Sequence, residues 1–241
     1  GKEAYFQFTP GMLGQSLAEQ EIIQQADIIH IHWAHQAYLN LKGIEEILRT
    51  GKPVIWTLHD MWAFTGGCHY SMHCRKFEEG CSNCWLIKGS GKQDLAFKMF
   101  ERKLELFSKN WSNLTFVTPS KWLKEEAEKS LLLKGYPIFQ IPNPINTDVY
   151  KPASSVVARR KLKLPQDKKL VMFIAMNVSD QRKGFDLLVD ALQTETAGKD
   201  AFEVMVLGRM KRNPLRNLNL PVHYLGLAEN KIGRASCRER V

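Results

Sequence analysis

Short β-branched and aromatic runs alternate with amphipathic stretches along this chain, and that alternation constrains the fold more than any other feature. Residues 27–32 (DIIHIH) read as a strand, 41–49 as a helix stopped by Gly51, and 54–58 as a second strand opened by Pro53. Residues 94–111 set Phe100, Leu104, Phe107 and Trp111 at helical spacing, which predicts one buried stripe. A strand over 114–117, a helix capped by Ser120 and running to 134, and a strand over 138–141 follow. Strand-helix-strand order with short strands implies an α/β fold with a parallel sheet.

Prolines 142, 144 and 152, with Asn143 and Asn146 among them, interrupt the pattern, because proline extends neither a ladder nor a helix interior. The pattern then restarts, with strands over 169–176, 202–207 and 222–225 and a helix over 185–192. The expected organisation is two Rossmann-like domains: residues 1–142, with the first strand missing, a linker over 143–153, and a partial second domain over 154–231. Residues 232–241 (IGRASCRERV) read as the in-frame translation of a sequencing adapter. On that reading the chain is a fragment. The tail carries Arg234, Arg238 and Arg240 against Glu239, so setting it aside lowers the formal charge from +9 to +7. At 44% hydrophobic residues the chain has ample material for a core, and bulk disorder is excluded. No apolar run approaches the ~20 residues that span a bilayer, and residues 1–10 lack the order of a signal peptide. The surplus of positive charge favours anionic ligands.

Three segments carry chemistry. The first is residues 57–70, TLHDMWAFTGGCHY. His59 and Asp60 follow a strand directly, where ligands of open α/β sheets bind. A histidine there exchanges hydrogen bonds with a sugar hydroxyl or simply caps the strand; Asp60 fixes its tautomer or binds a hydroxyl itself. Trp62 and Phe64 suit the core better than a sugar-stacking platform. The second segment holds Cys68, Cys74, Cys81 and Cys84, spaced C-x5-C-x6-C-x2-C, with His69 and His73 between them. A structural zinc, buried thiols and disulfides are all open readings; four thiolates would leave a zinc no catalytic position. The third is residues 178–192, where Arg182, Lys183 and Gly184 precede an amphipathic helix. A helix N-terminus with two added cations is, chemically, a diphosphate site. The bland alternative is two basic residues in a solvated loop. Glu195 and Glu203 read as a chance spacing, and Arg209, Lys211, Arg212 and Arg216 as a solvated loop. No D-x-D, Walker A, G-x-S-x-G or G-x-G-x-x-G sequence is present.

In order and spacing, DIIHIHW, GKPVIWTLHDMWAFTGGCHY, the C-x6-C-x2-C run, TPSKWL, IPNPINTDVYKP and RKGFDLLVDAL make the chain resemble bacterial family 4 glycosyltransferases of GT-B fold, in the exopolysaccharide (colanic-acid-type) branch. The resemblance implies two Rossmann-like domains facing a cleft, the second truncated here. It implies a retaining, hexosyl-type transfer that needs no cofactor or catalytic metal. Sugar would pass from a nucleotide-sugar donor to a saccharide or lipid-linked saccharide acceptor, in the cytoplasm or at the inner face of the membrane, with peripheral membrane contact and no nucleic acid. Lys183 matches the family's diphosphate-binding lysine, His59 its cleft histidine near the sugar, and Asn143 the interdomain crossover. Many members carry an arginine just after the preceding strand; Met176 and Asn177 stand there, which leaves Arg182 as the guanidinium. The family's E-x7-E motif is expected beyond Lys231 and a Gly-rich loop before residue 1, so the 241-residue piece is expected to lack activity. The competing reading is a non-enzymatic binding module, either nucleic-acid-binding through its basic surface or a zinc-braced interaction domain, against which stands the mixing of lysine and arginine with acids.

Overall fold

The computed structural model describes residues 7–89, 91–194, 202–210 and 220–227. The chain divides into two compact units, Gly1–Asn143 and Pro144–Val241. Both are parallel α/β structures of Rossmann-like type, as the alternation of strands and helices requires.

In the first unit four strands, β1 (Ile29–His32), β2 (Val54–Thr57), β3 (Leu114–Thr118) and β4 (Ile138–Gln140), pair in sequence order, all parallel. A short helix α1 (Glu21–Gln25) precedes them, and α2 (Leu41–Arg49), α3 (Leu95–Phe107) and α4 (Lys121–Lys129) make the crossovers. Each crossover helix starts at a side chain that accepts a hydrogen bond from a free first-turn N–H: Asn40 from Gly43, Asp94 from Phe97, Ser120 from Leu123. Ile29, Ile31, Val54, Trp56, Leu114 and Phe116 form the strand side of the core.

The helix expected to reach residue 134 stops at Lys129. Ser130 turns extended (φ −71°, ψ 134°), and its hydroxyl donates to the Phe64 carbonyl at 2.8 Å. A short 3₁₀ turn, Leu131–Leu133, then buries Leu132 and Leu133. The expected stripe on α3 is also displaced. Its buried face is Ala96, Met99, Phe100, Lys103, Leu106 and Phe107, so a lysine occupies a core position, Leu104 is half-buried and Trp111 lies beyond the helix end.

The second unit opens with α5 (Ser155–Lys161), a helix that the sequence reading did not name at the start of this domain. Its sheet is β5 (Lys169–Asn177), β6 (Phe202–Arg209) and β7 (Val222–Gly226), again parallel and in sequence order, with α6 (Phe185–Thr194) between the first two. Val178, Phe185, Val204 and Val206 form its described core. The adapter-like tail, Glu195 and residues 211–219 lie outside the described residues. Among the described residues no helix is long and apolar enough to cross a membrane.

Candidate functional site

Parallel pairing sets His32 beside Thr57, so the carboxyl ends of β1 and β2, and the loops that follow them, lie side by side. Strand alternation then sorts the side chains of β1. Ile29 and Ile31 face the core while His30 and His32 face out. Three imidazoles line up on that outer side. The rings of His30 and His32 are 4.0 Å apart, and His32 Nδ1 lies 2.9 Å from His59 Nε2 with the two rings stacked. His30 Nε2 meets the Thr57 hydroxyl at 2.8 Å. Burial, with His32 alongside, lowers the pKa of both His30 and His59, which favours neutral rings that both donate and accept.

Asp60 does not turn toward His59. It is 7% exposed and points into a second, buried group. Its Oδ2 accepts from the Trp33 indole N–H at 2.9 Å and lies 2.8 Å from His69 Nδ1 and 3.2 Å from His35 Nε2. Its Oδ1 accepts the Trp62 backbone N–H at 2.9 Å. Burial alone would raise this carboxyl; the hydrogen bonds to His35 and His69 win and hold it well below the usual carboxylate range. The aspartate therefore organises the loop rather than the tautomer of His59, one of the two roles expected from sequence, the other being to bind a hydroxyl itself. Trp62 and Phe64 are both core residues, with 1% and 0% exposure.

The turn behind this group depends on close backbone approach. A Cβ on Gly66 would sit 2.4 Å from the Ala96 carbonyl oxygen, and Gly67 has φ +134° with Phe8 and Thr9 against it. Lys103 braces the same turn from α3. Its ammonium donates to the carbonyls of Trp62 and Thr65 and lies 3.8 Å from the centre of the Trp62 indole. Burial lowers its pKa to about 7.

Cys68, Cys74, Cys81 and Cys84 are free thiols. Cys81 Sγ accepts the Gly66 N–H at 3.2 Å. Burial pushes the Cys68 thiol up to about 11 and the Cys81 thiol up to about 12. Among the described residues, no group of three ligand atoms that includes a cysteine lies within 4.8 Å. A tetrahedral zinc needs its sulfurs near ~3.8 Å apart, given Zn–S bonds of ~2.3 Å. As placed, the thiols do not fit such a centre.

In the second unit the loop after β5 closes through a 3₁₀ turn, Gln181–Lys183, capped by Asp180. Asp180 Oδ1 accepts from the Arg182 backbone N–H at 3.1 Å, and both carboxylate oxygens accept from its guanidinium, at 3.0 and 2.6 Å. Lys183 is exposed, and no ion pair holds it among the described residues. Gly184, at φ +71°, reverses the chain into α6. Asn143 is exposed at the last position of the first unit.

Sequence reasoning named His59, Asp60 and Lys183 but missed His30, His32, His35, Thr9 and Lys103. The alternating histidines of DIIHIHW were the available signal for the outer row. Nothing local marked Thr9 or Lys103.

Residues 4–149 match the sequence model of the family described as Glycosyltransferase Family 4, more than half of the chain. A protein of Escherichia coli (strain K12) described as a putative colanic acid biosynthesis glycosyl transferase, WcaC, is 31% identical over 103 residues, covering 39% of this chain and 25% of that protein. The matched region thus spans a quarter of the relative's own length. The match takes in the whole parallel sheet of the first unit and the loops at its strand ends, and the chain is a member of glycosyltransferase family 4.

Proposed function

We propose that the protein to which this chain belongs is a retaining glycosyltransferase of surface-polysaccharide synthesis. It would move a hexosyl group from a nucleotide-sugar to a saccharide or lipid-linked saccharide. The observation that carries this reading is an exposed Lys183 at the mouth of α6, in no ion pair among the described residues, on a chain of this family. The relative's printed role in colanic acid synthesis supports the polymer class.

In the reaction the bond between the anomeric carbon and the diphosphate oxygen breaks. A bond from the acceptor oxygen to that carbon forms, and the acceptor's proton passes to the leaving diphosphate. Lys183 meets the charge that grows on the diphosphate, and the free N–H groups of the first turn of α6 add to it. Arg182 assists only by giving up part of its contact with Asp180. His59, neutral and hydrogen-bonded to His32, suits sugar hydroxyls. No divalent ion is assigned to the diphosphate. The work is placed in the cytoplasm or at the inner face of the membrane. The two units are read as acceptor-side and donor-side domains. A zinc held by the four cysteines would require the thiols to draw together.

The test is sugar transfer by the whole protein. Lys183→Ala lowers turnover by ~10²-fold or more, and added Mg²⁺ or Mn²⁺ leaves the rate unchanged. A loss under ~3-fold would move the diphosphate site elsewhere.

A further inference from the structure

The buried group beneath the outer histidine row is built of metal-ligating atoms that the reaction does not use. His35 comes from the loop after β1, Asp60 from the loop after β2, and His69 from the segment beyond the Gly66–Gly67 turn. Their exposures are 4%, 7% and 2%. His35 Nε2, Asp60 Oδ2 and His69 Nδ1 form a closed triangle with sides of 2.9, 2.8 and 3.2 Å.

Protons alone do not satisfy this triangle. With one proton inside it, at least one side sets two lone pairs face to face. With two, both imidazoles donate to Asp60 Oδ2, and the 2.9 Å contact between His35 Nε2 and His69 Nδ1 then sets two N–H groups against each other. A cation satisfies all three lone pairs at once. Four-coordinate ligands at ~2.0–2.1 Å stand ~3.3–3.4 Å apart, so a few tenths of an ångström of expansion would admit one.

The surroundings match what a metal centre needs. The second nitrogen of His69 lies 2.8 Å from the Thr9 hydroxyl. The second oxygen of Asp60 is held by the Trp62 backbone N–H. The His35 ring stacks on Trp62, 5.0 Å between centres and 6° from parallel. A cavity of about 10 Å³ lined by Trp33, His35, His59 and Asp60 adjoins the triangle, room for about one water as a fourth ligand.

We infer that His35, Asp60 and His69 bind one divalent transition-metal ion of the zinc class. Two imidazoles and a carboxylate suit that ion. The ion is structural: it ties together the loops after β1 and β2 and so fixes the base on which His59 stands. It takes no part in the glycosyl step.

The test uses the 241-residue chain produced in cobalt-supplemented medium, with Co²⁺ as the spectroscopic probe. The expected result is one Co²⁺ per chain, with ligand-field absorption and no thiolate-to-cobalt charge-transfer band. That spectrum persists when Cys68, Cys74, Cys81 and Cys84 are all changed to Ser. Thr9→Val, which leaves the three ligands intact, weakens metal binding by ~10–100-fold. Folded wild-type protein without stoichiometric metal overturns the inference. So does a spectrum dominated by thiolate charge transfer, the signature of a four-cysteine zinc site instead. The wild-type spectrum decides the matter even if a variant fails to fold. Because it reads metal and not sugar transfer, its outcome is separate from that of the proposed activity.

Discussion

The loop after β2 and the loop after β5 occupy equivalent places, each at the carboxyl end of a parallel strand, and they are built in opposite ways. In the first, Asp60 is buried and both its oxygens are engaged, with Trp33, Trp62, His35 and His69 around it. In the second, Lys183 stands in solvent beside a partly exposed Arg182–Asp180 pair. A group whose hydrogen bonds are already filled by the protein has little left for a substrate. A solvated cation at a helix start keeps its full charge for an anion. The first loop spends its polar chemistry on holding shape; the second leaves it available for a ligand.

Substitutions should separate these roles. The largest expected effect on the fold is at Asp60. Asp60→Ala strands the buried Trp62 N–H and leaves the buried His35 and His69 without their carboxylate, and is expected to cost about 3–5 kcal/mol, read from urea unfolding. Lys183→Ala, the lesion that cuts turnover by ~10²-fold, is expected to leave stability within ~0.5 kcal/mol. If Asp60→Ala left unfolding unchanged, or Lys183→Ala destabilised the chain, the contrast between the two loops would fail.

A subtler effect is pH dependence centred on the first unit. Lys103 in the fold loses its proton above about 7, while the unfolded chain keeps it to ~10.4. The unfolded state then holds more protons, so stability rises with pH from 7 upward. Cys68 and Cys81 act oppositely. Their folded thiols stay protonated to about 11 and about 12, whereas unfolded thiols ionise near ~8.5, so stability falls beyond that point. Urea midpoints are expected to peak between pH 8 and 9, as an order-of-magnitude placement (~8.5). Lys103→Met should remove the rising limb and keep the falling one.

The smallest effect falls on the second loop. Asp180→Ala removes a partly exposed ion pair and a turn cap, costing less than ~1 kcal/mol. It also takes one negative charge away from the loop that carries Arg182 and Lys183, so nucleoside diphosphate should bind more tightly by calorimetry. Weaker binding would mean that Asp180 shapes the site.

Much of this architecture was legible in the sequence because it rests on local patterns. The helix Leu41–Arg49 and the strands beginning at Val54 and Leu114 stand where period and punctuation put them. Asp60 shows where such reading runs out. Its neighbour His59 is adjacent in sequence, but its partners are His35, from the loop after β1, and His69, beyond a turn in its own connection. Lys103 is a sharper case. Charge marks it as surface, yet its place in the buried stripe of α3 puts its ammonium against the Trp62 and Thr65 carbonyls. Ser130 likewise ends α4 through the Phe64 carbonyl, a contact no helix propensity encodes. Tertiary hydrogen bonds of this kind leave no periodic trace.

The most direct measurement is calorimetric titration of a nucleoside diphosphate into the wild-type chain, Lys183→Ala and His59→Ala. The account predicts that Lys183→Ala weakens binding by at least ~10-fold, as loss of a charge-assisted contact should, while His59→Ala leaves it unchanged. Equal affinity for wild type and Lys183→Ala, or loss of binding on changing His59, would contradict it.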